Sequence, residues 1–594
     1  MFQQRTVTCG ELQKKDNGKK VVLNGWVHRV RNHGSIYFIN LRDRYGITQV
    51  VVDADSSKKL QSVASALHNE YTIAVKGIVR KRPKNMINPD MKTGEVEVKA
   101  TSIEILGTCD VLPFQIDEET KASENLRLQY RYLDLRSSGM QNRIALRHKV
   151  VRAMREYLYQ KDFFEIETPT LIRSTPEGAR DFVVPSRLYP GKFYALPQSP
   201  QLMKQLLMVS GFDKYFQVAR CYRDEDARGD RQLEFTQLDL EMSFVKRDDV
   251  LTLMEGLFGY VFKETLKVKL PKKFRRIAYK DAMNTYGCDK PDLRFDIPLQ
   301  EFKQFVEMSS FDAMKNLVGI KGDVKAVVVK KEYAESMSRK VIEEYGSKAV
   351  GVNKDRMFAY MKYQDGNLTS GAAKYFEAQK EQIASALSLE DGDLVMMLAA
   401  ANWKASCVGA GVIRSLLGEN LGLLDPNRFE FCWIVDFPLF AYNEEEGHWE
   451  AEHHMFSMPQ ERFIPTLEEN PGEVLGDLYD LVLNGYEVAS GSIRIHTPEL
   501  QKRIFRICNY SDEAAEKAFG FLLKAFEYGA PPHGGIAPGV DRMVMIMAGC
   551  TSIKEVIAFP KNTFAVSPMD ESPSPITEEQ LKELSLSIVQ KDNE

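Results

Sequence analysis

Two stretches of this sequence gather side chains suited to binding phosphate or carboxylate. The first is Arg223-Asp-Glu-Asp-Ala-Arg-Gly-Asp-Arg231, with three arginines and four carboxylates between two strand-like segments. A guanidinium at a strand end can grip either anion through a bidentate fork. A solvated charged turn would have the same composition. This loop, however, leads into Thr236-Gln-Leu-Asp-Leu-Glu-Met242, where strand periodicity puts Gln237, Asp239 and Glu241 on one face and the apolar residues on the other. Such a face needs water or a polar ligand beside it. The second stretch is Gly534-Gly-Ile-Ala-Pro-Gly-Val-Asp-Arg542, ahead of the apolar run Met543 to Met547. Glycines admit close backbone approach to a ligand, and a following helix N-terminus favours anions. The phosphate loop GxxxxGK[ST] and the dinucleotide fingerprint GxGxxG are both missing. No Ser/His or Cys/His arrangement offers a covalent nucleophile.

These residues must be carried by a large molecule. The chain has 594 residues, 44% hydrophobic and 27% charged, which excludes global disorder. The longest aliphatic run, Leu394 to Ala401, is too short for a bilayer, and the opening MFQQRTVTCG lacks a signal core. Eight scattered cysteines without a CxxC pair argue against a zinc ribbon or disulfide scaffold and fit a reducing cytoplasm. Residues 1–110 hold 18 Lys and Arg against 11 Asp and Glu, a net +7 in a chain of net −4. A basic front on an acidic body suggests a polyanionic partner for the front.

Five alternating segments between Val21 and Ile105, with a helix near Ser57 to Leu67, predict an OB-type barrel over residues 1–110. Tyr37 and Phe38, with Arg29, Arg31 and Arg42 nearby, are candidate platforms for single-stranded nucleic acid, although only one of the two aromatics can face out. A hinge is expected over 111–140. Leu146, Val150, Met154 and Leu158 then mark one face of a long helix. The body is expected over 141–290 and 425–562. An inserted α/β domain fills 291–424, with helical runs at Ala334 to Glu344 and Ala373 to Leu387. An extension follows over 563–594, with a last helix from Glu578 to Val589.

In combination these blocks resemble the class II aminoacyl-tRNA synthetases, most closely the bacterial aspartyl type. Phe164-Glu-Ile-Glu-Thr-Pro169 is similar to motif 1. Ala219-Arg-Cys-Tyr-Arg-Asp-Glu-Asp226 through Glu234-Phe-Thr-Gln-Leu-Asp239 is similar to motif 2, and Gly539-Val-Asp-Arg542 to motif 3. Further matching blocks include Gln198-Ser-Pro-Gln-Leu-Met-Lys204 and Gly491-Ser-Ile-Arg-Ile-His496. The resemblance implies a multidomain α+β protein: an N-terminal OB-fold β-barrel reading the anticodon, a class II antiparallel-sheet catalytic domain and the inserted domain. It implies a homodimer through motif 1.

The implied chemistry is attachment of L-aspartate to tRNA through an aspartyl-adenylate, using ATP with Mg2+ and neither zinc nor an organic prosthetic group. Arg223 would bridge the α-phosphate and the substrate carboxylate. Arg542 would lie over the adenine, with Phe235 on its other face. Asp224, Glu225, Gln232, Gly539, Val540 and Asp541 would complete the nucleotide site, and Asp480 and Glu487 would hold Mg2+. Arg494 and Lys204 would take the aspartate side chain, with Asp239 orienting the pair and His453 on a closing loop. Glu177 and Gln201 would take the ammonium end. Asparagine in this pocket would leave a buried Arg unpaired, a basis for selectivity. In the barrel, Phe38 would stack on an anticodon base, Gln49 would read one and Arg29 would contact phosphate or base. Family members that charge both tRNA(Asp) and tRNA(Asn) commonly carry a histidine where this chain has His33. The resemblance therefore leaves two readings open: charging of both tRNAs, towards which His33 leans, or of tRNA(Asp) alone. A catalytically inactive tRNA-binding paralogue is a third, opposed by intact Arg223, Glu487 and Arg542. His533 reads as structural.

Overall fold

A computed structural model describes residues 2–117, 120–175, 178–352 and 355–589. Residues up to 144, with 567–572, cluster as one compact unit, and the remainder as a second. Among the described residues no helix is long and apolar enough to cross a membrane.

In the first unit β1 (Lys20–His33), β2 (Ile36–Asp43), β3 (Gly46–Val52), β4 (Thr72–Lys81) and β5 (Val96–Gly107) close into a barrel, in the order β1-β2-β3-β5-β4. The expected OB architecture is present. β1 serves two partners, β4 through Lys20 to Trp26 and β2 through Trp26 to His33. The change of partner falls at Trp26, beside Gly25, where a Cβ would lie 2.4 Å from the Arg42 carbonyl oxygen. A register shift between Val27 and Arg29 bends the strand there. Leu23, Val27, Ile39, Leu41, Val50 and Val98 fill the interior. The helix Lys58–Ser65, capped where Ser57 Oγ accepts from the Leu60 N–H, buries Leu60 and Ala64. The stretch expected as a hinge carries short helices, Glu124–Gln129 and Arg131–Asp134, and clusters with the barrel.

The second unit is built on an eight-stranded sheet. Its members are β6 (Phe164–Glu165), β9 (Lys214–Tyr222), β10 (Glu234–Ser243), β11 (Arg275–Ala278), β17 (Phe431–Val435), β20 (Leu478–Leu483), β21 (Tyr486–Ile493) and β22 (His533–Pro538). The order is β11-β17-β20-β21-β22-β10-β9-β6. Pairing is antiparallel except at the two edges, where β11 and β6 run parallel to their neighbours. The helix Ser138–Gln160 presents Val150, Met154 and Leu158 to a core shared with Phe258 and Phe262 of the helix Arg247–Leu266 and with Trp433 and Leu481 of the sheet. Short ribbons pair β7 (Val183–Pro185) with β8 (Phe193–Ala195) and β18 (Phe440–Asn443) with β19 (His448–Ala451).

Residues 299–400 form a separate antiparallel sheet: β12 (Leu299–Glu301), β13 (Asp323–Val329), β14 (Arg356–Gln364), β15 (Asn367–Thr369) and β16 (Leu394–Ala400), in the order β12-β13-β16-β14-β15. The aliphatic run is β16, buried along its whole length at the sheet centre. Three local expectations are corrected. The run from Ala334 breaks, because Ser338 caps a second helix, Arg339–Val350. Only Lys380–Ala386 of the run Ala373 to Leu387 is α-helical, behind two tight turns. The last helix stops at Glu583, and Ser585 adopts a left-handed backbone (φ 55°) that helices do not propagate.

Candidate active site

The middle of the eight-stranded sheet forms the wall of a cavity of about 1140 Å³. Lys204, Arg223, Phe235, Asp239, His453, Glu487, Arg494 and Arg542 all line it. Six elements contribute: the helix Gln201–Val209, the loop between β9 and β10, β10, the segment before β20, β21 and its end, and the helix Val540–Met547.

The floor is a buried charge network. Asp239 and Glu241, two residues apart on β10, are fully enclosed and face the same side. Lys204 Nζ lies 2.6 Å from Asp239 Oδ1 and 3.3 Å from Glu241 Oε2. Arg494 donates from Nε to Glu241 Oε1 (2.9 Å), from Nη2 to Glu241 Oε2 (3.3 Å) and from Nη1 to Ser492 Oγ (2.7 Å). Burial pushes the Glu241 carboxyl up, but the Arg494 and Lys204 charges outweigh it and hold it below its ordinary range. Glu241 fits because its neighbour on β22 is Gly535, where a Cβ would lie 2.1 Å from Glu241 Oε2.

This floor corrects two expectations. Asp239 orients Lys204, whereas Glu241 orients Arg494. Arg494 is also already paired, so asparagine would not leave it bare: four of its five N–H donors have acceptors among the described residues. The fourth acceptor is His454 Nε2, 3.0 Å from Arg494 Nη1. A guanidinium only donates, so Nε2 carries no proton and the ring is neutral. Burial, then the Arg494 charge, hold the His454 pKa well below its ordinary value.

His453 points elsewhere. Its Nε2 lies 3.3 Å from Asp480 Oδ2, and its ring stands edge-on to Phe437 at 4.7 Å. Burial opposes its charge, but the Asp480 hydrogen bond and the Asp480 and Glu487 charges raise its pKa. Asp480 is buried, and its Oδ1 has no hydrogen-bond partner among the described residues. The Glu487 carboxyl is raised by burial first and by the Asp480 charge second. A buried acid with an orphaned oxygen and a half-buried acid beside it are what a hard divalent cation would satisfy, so the residues fit Mg2+.

The upper wall is cationic. Arg223 Cζ lies 5.0 Å over the Phe235 ring. Arg542 donates to the Glu487 carbonyl and to Asp230 Oδ2 (3.2 Å), and its Nε has no partner among the described residues. Glu225 pairs with Arg231 at 2.9 Å, and Asp224 faces the exposed Arg180 at 3.7 Å. Four of the expected nucleotide residues also serve the framework, and three of them, Gln232, Gly539 and Asp541, line the cavity as well. Gln232 exchanges both ends of its amide with the Lys561 backbone (3.0 and 3.1 Å). Asp541 is bonded to Arg147 and accepts from the Thr236 N–H at 2.7 Å. Val540 is core, while the Gly539 N–H donates to the Val488 carbonyl. Gln201 reaches the cavity with a buried Nε2 that has no partner among the described residues. Glu177 lies outside the described residues.

In the barrel Tyr37 packs on the core and Phe38 is turned away from it, with the His33 ring edge-on at 5.8 Å. Arg29 and His33 are exposed. Gln49 is buried, accepting from Arg31 (3.3 Å) and donating to Glu97 (2.9 Å). Arg42 is not at this surface: it is buried against Glu70 at 2.9 Å.

Glu241, His454, Ser492, Asp230 and Arg147 carried no site assignment from sequence. Only Glu241 had a usable signal, its period-two relation to Asp239.

Residues 123–563 match the family model described as "tRNA synthetases class II (D, K and N)", and residues 21–106 match "OB-fold nucleic acid binding domain". The chain is 62% identical over 587 residues to a Treponema denticola protein named Aspartate--tRNA(Asp/Asn) ligase, covering 98% of this chain and 99% of the relative. A Borreliella burgdorferi protein of the same name is 49% identical over 589 residues, covering 99% and 100%. Among solved structures, asparaginyl-tRNA synthetase from Pyrococcus horikoshii complexed with asparaginyl-adenylate aligns with a TM-score of 0.58 at 20% identity, over 93% of this chain and 97% of that one, a likeness of fold.

Proposed function

Since the chain belongs to the class II tRNA synthetases (D, K and N), we propose that it activates L-aspartate with ATP and transfers the aspartyl group to tRNA(Asp) and tRNA(Asn). The observation that carries this reading is the fully enclosed Lys204–Asp239 and Arg494–Glu241 floor beneath a cationic upper wall. A small dicarboxylate fits the first and a polyphosphate the second.

In the first step an oxygen of the aspartate α-carboxylate attacks the α-phosphorus, the bond to the bridging oxygen breaks, and pyrophosphate leaves. In the second, the terminal ribose hydroxyl of the tRNA attacks the aspartyl carbonyl, loses its proton and displaces AMP. Positioning and charge stabilisation carry both steps. Arg223 draws the two reacting anions together, and Phe235, which Arg223 covers, becomes an adenine platform when the guanidinium swings to phosphate. Arg542 offers its unpartnered Nε to the nucleotide. The remaining Nη2 hydrogen of Arg494 and the Lys204 ammonium take the side-chain carboxylate, while Gln201 and Glu177 take the ammonium end. Asp480 and Glu487 would hold Mg2+, which when bound supplies positive charge beside the triphosphate.

The barrel is the anticodon reader, with Phe38 as stacking platform flanked by His33, Arg29 at its exposed edge and Gln49 below. The 62% relative, named for both tRNAs, supports the dual reading together with His33. Two copies assemble through the motif 1 segment, where Phe164 and nearby Leu171 are more than half exposed. Aspartate-dependent pyrophosphate exchange, followed by charging of purified tRNA(Asp) and tRNA(Asn) side by side, tests the reading. Exchange with asparagine or lysine instead of aspartate would reject the substrate, and charging of tRNA(Asp) alone would reject dual use.

A further inference from the structure

The chain enters the inserted domain from the helix Tyr279–Tyr286 and touches the cavity on the way at one residue, Lys290. This lysine lines the wall with Gly485, Tyr486, Glu487 and Arg542. Its ammonium makes no ion pair among the described residues, unlike Lys204 and Arg494 on the floor.

The path of the chain beyond Lys290 is fixed from the inserted domain. Asp292 packs on the turn between β20 and β21, where a Cβ on Gly485 would sit 3.3 Å from its own Cβ. Arg414, on the helix Trp403–Asn420, donates to three carbonyl oxygens of this segment: Ile297 (2.8 Å), Asp292 (2.9 Å) and Phe295 (3.1 Å). Its guanidinium also lies 4.0 Å over the Phe295 ring and 5.0 Å over Tyr286. A 2% exposed arginine that serves backbone carbonyls and rings holds chain position. The same helix crosses just before Lys290, where a Cβ on Gly287 would lie 2.5 Å from Gly411 Cα.

We propose that Lys290 binds the outer phosphates of the triphosphate, the part that leaves as pyrophosphate, and that Arg414 is the positioning residue that keeps it in the cavity wall. The inserted domain thereby bears on nucleotide binding. This rests on reading the cavity as an ATP-dependent ligase site. A lysine suits the role because a compact ammonium on a flexible stem can follow a departing phosphate.

The test compares Lys290→Ala, Lys290→Arg, Arg414→Gln and the double variant Lys290→Ala/Arg414→Gln in the full chain. It measures KM for ATP and for aspartate, and direct binding of magnesium pyrophosphate by calorimetric titration. Lys290→Ala is expected to raise KM for ATP and the pyrophosphate Kd about tenfold, as for one lost charge-assisted hydrogen bond, with KM for aspartate unchanged. Lys290→Arg restores most of this. Arg414→Gln shows the same selective loss, and the double variant is no worse than Lys290→Ala. Wild-type ATP and pyrophosphate values in Lys290→Ala, or an equal rise in KM for aspartate, overturn the phosphate role. Additive losses in the double variant overturn the role of Arg414. If the wild-type chain gives no aspartate-dependent exchange, the functional reading falls, and the pyrophosphate titration still decides Lys290.

Discussion

Arg494 and Glu241 stand 253 residues apart in sequence, yet they share two hydrogen bonds, Nε to Oε1 at 2.9 Å and Nη2 to Oε2 at 3.3 Å, in a fully enclosed site. Glu241 therefore holds the Arg494 guanidinium in one orientation without any ligand. Arg494→Leu is expected to abolish aspartate-dependent exchange and also to leave Glu241 buried without its partner, a loss of about 3–5 kcal/mol in stability. Glu241→Gln keeps the shape and is expected to cost less stability while raising KM for aspartate. Exchange kinetics and thermal unfolding separate the two effects. Unchanged selectivity against asparagine in Arg494→Leu refutes the pocket.

The paired acids Asp480 and Glu487 give a metal prediction. Removing the Asp480 charge relieves one cause of the raised Glu487 carboxyl but replaces an anionic ligand with a neutral, weaker amide oxygen. Asp480→Asn should raise the Mg2+ concentration for half-maximal exchange about tenfold or more. A titration of exchange rate against Mg2+ at fixed ATP checks this, and an unchanged midpoint removes Asp480 from the site.

The two adjacent histidines should respond oppositely to pH. His454 is held neutral, with a folded pKa below its unfolded value of roughly 6.5. Its contribution is present above that value and is lost as pH falls through the folded pKa. His453 has a raised pKa, so its pairing with Asp480 contributes fully below roughly 6.5 and is lost as pH rises through the folded value. Thermal unfolding of His454→Gln should therefore lose less stability than wild type between neutral and mildly acid pH. His453→Gln should lose less as pH rises from mildly acid to alkaline. Parallel curves for all three proteins contradict the assignment.

His33 lies edge-on to Phe38 at 5.8 Å, close enough to touch the same nucleotide. His33→Leu is expected to weaken charging of tRNA(Asn) more than that of tRNA(Asp), with aspartate-dependent exchange unaltered. Equal effects on both tRNAs remove the histidine from discrimination.

Local periodicity in the sequence was enough to anticipate the barrel strands and the β9–β10 hairpin, and resemblance to a family pointed to residues such as Lys204, Arg223, Arg494 and Arg542 that line the cavity. The local patterns are short-range: alternation, spacing four, a glycine run before an apolar helix. Which charges meet was decided by tertiary structure alone. Asp239 and Glu241 are indistinguishable along β10, and only the approach of the helix carrying Lys204 and the end of β21 gives one to the lysine and the other to the arginine. His453 and His454 are adjacent, yet the turn of the backbone sends one to Asp480 and the other to Arg494. Gln232 and Asp541 belong to nucleotide motifs by sequence, but strand and helix packing engages their side chains with Lys561, Arg147 and Thr236. Burial and pairing of polar groups depend on contacts hundreds of residues apart, and no local pattern encodes those.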